Sequence, residues 1–360
     1  SDDVLVMQKA LASSDEVIDI HHAGTAMRFL TAYFAFQKNR EVVLTGSRRM
    51  QHRPIAPLVD ALRKMGATIT YLEKEGFPPL RIKGSQLNSH KVQIAGDISS
   101  QFITAILLLA PTFKDGFNIE LTGKITSRSY IEMTLALLDQ LGFSSNFKGA
   151  AIFIAPQIEK EKSIFTVESD WSSGSYWFSF VALSKIGSKI NISHFYKNSL
   201  QGDSCLVDLY KNFGVEATFL DNGILEIKKI AVPNCSHFTC NLVSAPDLAQ
   251  TIAVTCLGLG ISCELTGLQT LKIKETDRLV ALQNELKKLG ATIQIDNESI
   301  ALQPPKKLNQ NCIIETYNDH RMALAFAPLS ILVPIEIKNA EVVSKSYPDF
   351  WNDVQVIMSK

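Results

Sequence analysis

Apolar residues recur at helical spacing along this chain, stop at a glycine, and give way to short alternating stretches. The pattern returns as LVDALRKMGATITYL around Gly66, MTLALLDQLGFSSNF around Gly142, LVDLYKNFGVEATFL around Gly214 and LQNELKKLGATIQID around Gly290. The glycines are spaced 76, 72 and 76 residues apart. Glycine takes the left-handed conformation that closes a helix, and the alternation after it predicts strands. Partial copies, VLVMQKALASSDEVIDI and FWNDVQVIMSK, stand at the two ends. A second block recurs in phase: small or polar residues opening an apolar helix, in HHAGTAMRFLTAYFAF, GDISSQFITAILLLAP, DWSSGSYWFSFVALS, SAPDLAQTIAVTCLGLG and YNDHRMALAFAPLSIL. The markers Thr25, Ser100, Ser173, Asp247 and His320 step by 75, 73, 74 and 73 residues. The period predicts an α/β (α+β) chain built from repeated strand-helix-strand-helix-strand-strand units. Counting repeats divides it into lobes at 1–167 and 168–360, with the hairpin of the first unit trimmed between Val4 and Gly24.

Equivalent units packed about a pseudo-symmetry axis aim equivalent helix starts in one direction. Each start carries unpaired N–H groups and about half a positive charge, so several aimed at one place bind anions. These starts also carry Arg28, Ser99, Ser100, Gln101, Ser172, Ser173, Asp247, His320 and Arg321. The expectation is a cleft between two similar lobes that holds a small polyanion. Further cations stand in TGSRRMQHRPIAPL (Arg48, Arg49, Arg53), LKIKETDRLVAL (Lys272, Lys274, Arg278) and VVSKSYPDF (Lys345). Each has a bland reading: KETDR as a surface i, i+4 network, Lys345 as a solvated lysine, Asp247 as an N-terminal helix acid, His320 and Tyr130 as structural side chains.

Composition narrows the partners. Lys+Arg and Asp+Glu are 36 each in 360 residues, which argues against a general nucleic-acid or membrane-surface binder while leaving room for a local cationic pocket. The apolar share of 46% excludes wholesale disorder. Six cysteines without a CxxC predict neither zinc nor a disulfide scaffold but reduced, mostly buried thiols in a cytoplasmic protein. No stretch reaches the ~18 apolar residues of a membrane span, and ITAILLLAP predicts a core helix. The opening SDDV shows neither a leader nor an initiator Met, which predicts a fragment of a longer protein.

In order, AGTAMRFL, RMQHRPI, GDISSQF, SRSYIEMT, SSGSY, PDLAQTIAV, IKETDRL, NDHRMALAFA and SKSYPDF make the chain resemble the 5-enolpyruvylshikimate-3-phosphate synthases (3-phosphoshikimate 1-carboxyvinyltransferases) over essentially its whole length. KETDR and NDHRM together are the specific part. The resemblance implies six βαβαββ units in two lobes, the enolpyruvyl transferase fold. It implies transfer of the enolpyruvyl group of phosphoenolpyruvate to the 5-hydroxyl of shikimate 3-phosphate, with release of phosphate, no metal or organic cofactor, and a monomer. Residue by residue, Arg53 resembles a ligand of the phosphoenolpyruvate phosphate, with Gly24 and Gln101 close by. Arg278 and Arg321 match the pair on its carboxylate, and Lys345 the lysine that reaches in on closure. His320 stands in the same NDHRM motif as Arg321. Ser99, Ser100, Ser127 and Lys274 match contacts to shikimate 3-phosphate, and Tyr130 matches an aromatic wall. Asp247 matches the base that takes the hydroxyl proton, and Glu275 the group that serves the methylene carbon.

Departures qualify the match. The Gly-Ser-Lys-Ser segment that begins the family is not in this sequence, so weak phosphoenolpyruvate binding and low turnover are expected of the chain as written. His22 stands for an Asn, Thr270 for another substrate-contacting Asn, and Phe29 for a Pro beside a cleft-facing Arg28, where it would reshape the pocket and its inhibitor tolerance. The rivals are UDP-N-acetylglucosamine enolpyruvyl transferase, which uses a first-lobe cysteine, whereas the first cysteine here is Cys205; the RNA 3′-phosphate cyclase relatives; and a non-catalytic anion-binding domain of the same fold.

Overall fold

Glycines with positive φ close the repeated helices: Gly66 at 101°, Gly142 at 94°, Gly214 at 72° and Gly290 at 98°. Each ends an amphipathic stretch and turns the chain into a strand. The computed structural model describes residues 1–126, 128–156 and 165–359, and these form two compact units, Ser1–Phe165 and Thr166–Lys360.

The first unit begins with α1 (Asp2–Ala12), then runs β1 (Val17–Asp19), α2 (Gly24–Phe36), β2 (Glu41–Thr45), α3 (Ala56–Lys64), β3 (Thr68–Tyr71) and β4 (Leu80–Lys83). The order recurs as β5 (Lys91–Ala95), α4 (Ser100–Leu107), β6 (Phe117–Thr122), α5 (Arg128–Gln140), β7 (Ser145–Lys148) and β8 (Ala151–Ile154). The sheets are β1-β2-β4-β3 and β5-β6-β8-β7, each with one parallel pair and two antiparallel ones. Strand residues alternate, as in Phe117–Thr122, where Phe117, Ile119 and Leu121 are buried and their neighbours exposed. The buried faces and the apolar helices α2 and α4 make one core.

The second unit runs α6 (Trp171–Leu183), β9 (Lys189–Ser193), α7 (Leu206–Leu209), β10 (Val215–Phe219) and β11 (Ile224–Lys229). It continues through β12 (His237–Asn241), α8 (Ala249–Leu259), β13 (Ser262–Thr266), α9 (Arg278–Lys288), β14 (Thr292–Ile295) and β15 (Ile300–Gln303). It closes with β16 (Cys312–Ile314), α10 (His320–Phe326), β17 (Ile335–Ile337) and α11 (Phe350–Met358). Its sheets are β10-β11-β9, β12-β13-β15-β14 and the parallel pair β16-β17. The helices α6, α8 and α10 touch one another at the centre. They are buried on nearly every side: Gly174 through Leu183 on α6 and Ala249 through Leu257 on α8 are all buried. Trp171, Trp177 and Trp351, the three tryptophans of the sequence, all belong to this unit.

Two expectations need correction. The stretch before Gly214 is not one amphipathic helix but a single α-turn, α7, between two 3-10 turns. Val207, Tyr210, Asn212 and Phe213 are weak helix formers, and the Lys229 ammonium takes the Phe213 carbonyl at 2.6 Å. The cysteines are not mostly buried: Cys256 and Cys263 are, Cys205 is exposed, and Cys235, Cys240 and Cys312 are half-buried. Cys240 and Cys312 lie in the edge strands β12 and β16, where a side chain keeps contact with water. All six thiols are free. No described helix is long and apolar enough to cross a membrane.

Candidate active site

In the second unit, the starts of α8, α9 and α10 each place a charge. Pro246 opens a 3-10 turn that leads into α8, a position that suits proline, and sets Asp247 at its front. Asp277 caps α9 by accepting from the Leu279 and Val280 amides, both at 3.2 Å. Arg278 then begins the helix with its side chain only 2% exposed. Asp319 caps α10 by accepting from the Arg321 amide at 3.0 Å, so Arg321 stands in the first turn.

These charges meet. Arg278 donates from Nε to Asp319 at 2.7 Å, from Nη1 to Asp247 at 3.0 Å and from Nη2 to Glu275 at 2.8 Å. A buried guanidinium is tolerable only with its donors satisfied, and here three carboxylates do it. Burial would lower its pKa, but Asp319, Glu275 and Asp247 raise it, so the group is permanently charged. Arg321 donates from Nη2 to Asp247 at 3.0 Å and to Ser172 Oγ at 3.3 Å, and from Nη1 to the Tyr176 hydroxyl at 3.4 Å. Lys345 reaches Glu275 at 2.5 Å, and Lys274 lies 3.5 Å from Asp247.

Burial would raise the Asp247 pKa, but Arg321, Lys274 and Arg278 outweigh it and hold the carboxyl well below the usual range. Burial pulls the Lys274 pKa down against the attraction of Asp247. His320 is pushed down to about 3 by burial, with Arg321 and Lys345 adding to it against Asp319, so its imidazole is neutral. Neither His320 Nδ1 nor the Thr270 hydroxyl, on the 3-10 turn Gln269–Ile273, makes a hydrogen bond among the described residues.

In the first unit, the starts of α2 and α4 are adjacent, with Gln101 Nε2 donating to Thr25 Oγ1 at 3.0 Å. Ser99 caps α4 and Ser100 is its first residue. Arg53, in extended conformation after a 3-10 turn and 7% exposed, lays its guanidinium against Gly24. A Cβ on Gly24 would stand 2.7 Å from Arg53 Nη1, so this approach needs glycine. Tyr130 lies half-buried in the first turn of α5. Ser127 lies outside the described residues.

Other expectations shift. Arg28 has its guanidinium engaged within its own unit. It is 4% exposed and donates to the carbonyls of Gly24 at 3.1 Å and Pro54 at 3.4 Å, bracing the loop that carries Arg53. Phe29 lines an apolar groove of about 420 Å³ with Met7, Leu11, Tyr33 and Leu108. Arg48, Arg49 and His22 are exposed, and Lys272 reaches Asn297 at 2.8 Å.

The sequence reading did not single out Asp319, Tyr176 or Asp203. Asp319 sits in NDHRM, one residue before His320, in the place of a helix cap. Asp203 lies in the loop QGDS, is 3% exposed, and accepts from the Ser172 hydroxyl. Burial first, then Asp247, raises its carboxyl to about 7 against the Ser172 hydrogen bond and Arg321. The second unit thus holds guanidiniums that fit an anion beside a carboxylate that fits a proton.

A profile of the family described as EPSP synthase (3-phosphoshikimate 1-carboxyvinyltransferase) matches residues 3–354. A 3-phosphoshikimate 1-carboxyvinyltransferase of Bacteroides fragilis (strain YCH46) is 45% identical, over 98% of this chain and 86% of its own length. That of Shewanella pealeana is 39% identical, over 95% and 79%. The fold is similar to that of EPSP synthase from Acinetobacter baumannii, with a TM-score of 0.72 and 22% identity over 96% of this chain and 79% of that one. It is also similar to that of the enolpyruvyl transferase NikO from Streptomyces tendae, with a TM-score of 0.66 and 14% identity over 92% and 76%.

Proposed function

The chain belongs to the EPSP synthase family, shikimate-pathway enzymes that transfer the enolpyruvyl group of phosphoenolpyruvate to shikimate 3-phosphate with release of phosphate, and we propose how its residues divide that work. Arg278 and Arg321 take the carboxylate of phosphoenolpyruvate, whose planar geometry their forks match. Arg53, with Gln101 and the close approach at Gly24, takes its phosphate. Ser99, Ser100, Ser127, Tyr130 and Lys274 contact shikimate 3-phosphate, and Thr270 and His320 add substrate contacts. Lys345 holds Glu275 and meets the substrate anion.

The observation that carries this reading is the placement of Asp247 between Arg278, at 3.0 Å, and Arg321, at 3.0 Å. At rest both cations hold the Asp247 carboxylate in its ionised, weakly basic form. A substrate carboxylate that draws on the same guanidiniums weakens their hold and makes Asp247 a stronger base, within reach of the attacking hydroxyl. Glu275, tied to Arg278 and Lys345, takes up a proton from solvent, gives it to the methylene carbon as the hydroxyl adds and takes it back as the C–O bond to phosphate breaks, while the hydroxyl proton held by Asp247 passes to the departing phosphate.

Phosphate release with both substrates present tests this. Asp247→Asn should lower kcat by about 10²–10⁴ with the KM for phosphoenolpyruvate little changed. A variant that releases phosphate at the unaltered rate would end the assignment. We further propose a monomer in the cytoplasm. The free thiols support a reducing compartment, and light scattering checks the monomer.

A further inference from the structure

Arg321 has five N–H donors, and the direction of its fork decides whether it meets a planar anion squarely. Its neighbour Ser172, in the first turn of α6, is 5% exposed. A serine hydroxyl has one proton. If that proton pointed at the guanidinium the contact would be repulsive; if it points away, a lone pair faces Arg321. Asp203 decides the matter, because it accepts the Ser172 proton from the other side.

The loop that carries Asp203 is fastened to the same helix start. Gln201 Oε1 accepts from the Trp171 amide at 2.9 Å, and Gln201 Nε2 donates to the Ser169 carbonyl at 2.9 Å. Ser199 Oγ donates to Glu168 at 2.7 Å and accepts from the Gln201 amide at 3.1 Å. Asp170 caps α6 from its own carboxylate, with the Ser172 amide at 3.0 Å, so Asp203 is not needed as a cap. A carboxylate this deeply buried, in a loop clamped at so many points, is fixed in place where it meets the Ser172 hydroxyl.

The geometry points to Asp203 as a positioning residue for Arg321: it orients the Ser172 hydroxyl so that Ser172 Oγ accepts from Arg321 Nη2 and sets the guanidinium for the phosphoenolpyruvate carboxylate. This rests on the reading of Arg321 as a carboxylate ligand. Asp203 itself touches no substrate.

Steady-state kinetics on Asp203→Ala, Asp203→Asn, Ser172→Ala, the Asp203→Ala/Ser172→Ala pair and Arg321→Lys test it, with thermal melts beside them. Asp203→Ala and Ser172→Ala should each raise the KM for phosphoenolpyruvate about tenfold, the loss of about one hydrogen bond to a charged group. The KM for shikimate 3-phosphate should move less than about twofold. The pair should be no worse than either alone, because the two act in series. Asp203→Asn keeps an acceptor for the hydroxyl and should stay within about threefold of the parent.

The proposal falls if Asp203→Ala and Ser172→Ala leave the KM for phosphoenolpyruvate alone while Arg321→Lys raises it. It falls too if both KM values rise together, if the two effects add, or if Asp203→Asn is no better than Asp203→Ala. Should Asp203→Ala not fold, the Ser172→Ala and Asp203→Asn results decide by themselves. Arg321→Lys without effect would remove the role of Arg321 and this inference with it.

Discussion

At the scale of the residue, the cations of this protein differ in what their loss should do. Gly24 and Arg53 make a contact that a single methyl group disturbs. The obstructed atoms are the far end of a flexible side chain, so Gly24→Ala should swing the guanidinium aside rather than strain the backbone. The expected outcome is a KM for phosphoenolpyruvate raised about tenfold or more, the worth of a charge-assisted bond, with a melting temperature close to the parent's. An unaltered KM would show that Arg53 is not a ligand. Arg278 behaves otherwise. Removing it, as in Arg278→Met, takes the guanidinium from the fully buried Asp319 carboxylate, while Asp247 keeps Arg321 and Lys274 and Glu275 keeps Lys345, and should cost about 3–5 kcal/mol of stability by urea denaturation. The motif KETDR signalled that its charges matter, but not which carboxylate each one meets. Glu275 stands in the motif itself, three residues before Arg278, but Asp247 and Asp319 come from separate segments, and pairings set by tertiary contact leave no local pattern. Asp203 shows the same limit: an aspartate in a QGDS loop looks like a turn residue until Ser172 is found against it.

At the scale of the element, the chain's punctuation was legible because helix, glycine and strand have distinct periods. Gly66, Gly142, Gly214 and Gly290 all adopt positive φ, and the starts of α2, α4 and α10 fall at the polar clusters. What periodicity could not report was the weakness of the helix before Gly214, where spacing is right but propensity is poor, or the groove that Phe29 lines, since neighbouring positions on a helix face differ by about 100°. The glycines also separate two costs. Gly214 and Gly260 share φ values of 72° and 71°, yet a Cβ on Gly260 would touch nothing, and one on Gly214 would overlap the Ala231 carbonyl. Gly260→Ala should cost about 1–2 kcal/mol, the left-handed penalty alone, and Gly214→Ala a further 1–3 kcal/mol. Equal losses in urea would mean that the Ala231 segment yields freely.

At the scale of the whole molecule, two buried groups tie stability to pH with opposite sign. The folded-state pKa of His320 is lowered from 6.5 to about 3, so its contribution is present above pH 6.5 and is lost as pH falls towards 3. That of Asp203 is raised from 3.8 to about 7, so its contribution is present below pH 3.8 and is lost as pH rises through about 7. Each slope is at most about 1.4 kcal/mol per pH unit, and between pH 4 and 6.5 the two oppose. Asp203→Asn should therefore lose stability on acidification across that window faster than the parent, and His320→Gln should lose less or gain. Urea midpoints at several pH values check this; three parallel curves would refute it. The readout has a built-in asymmetry. Because Trp171, Trp177 and Trp351 all belong to Thr166–Lys360, indole emission is blind to Ser1–Phe165. Excitation at the red edge follows one half of the polypeptide, while far-ultraviolet dichroism follows both, so a mismatch between the two melts reads directly as independent loss of the tryptophan-free half.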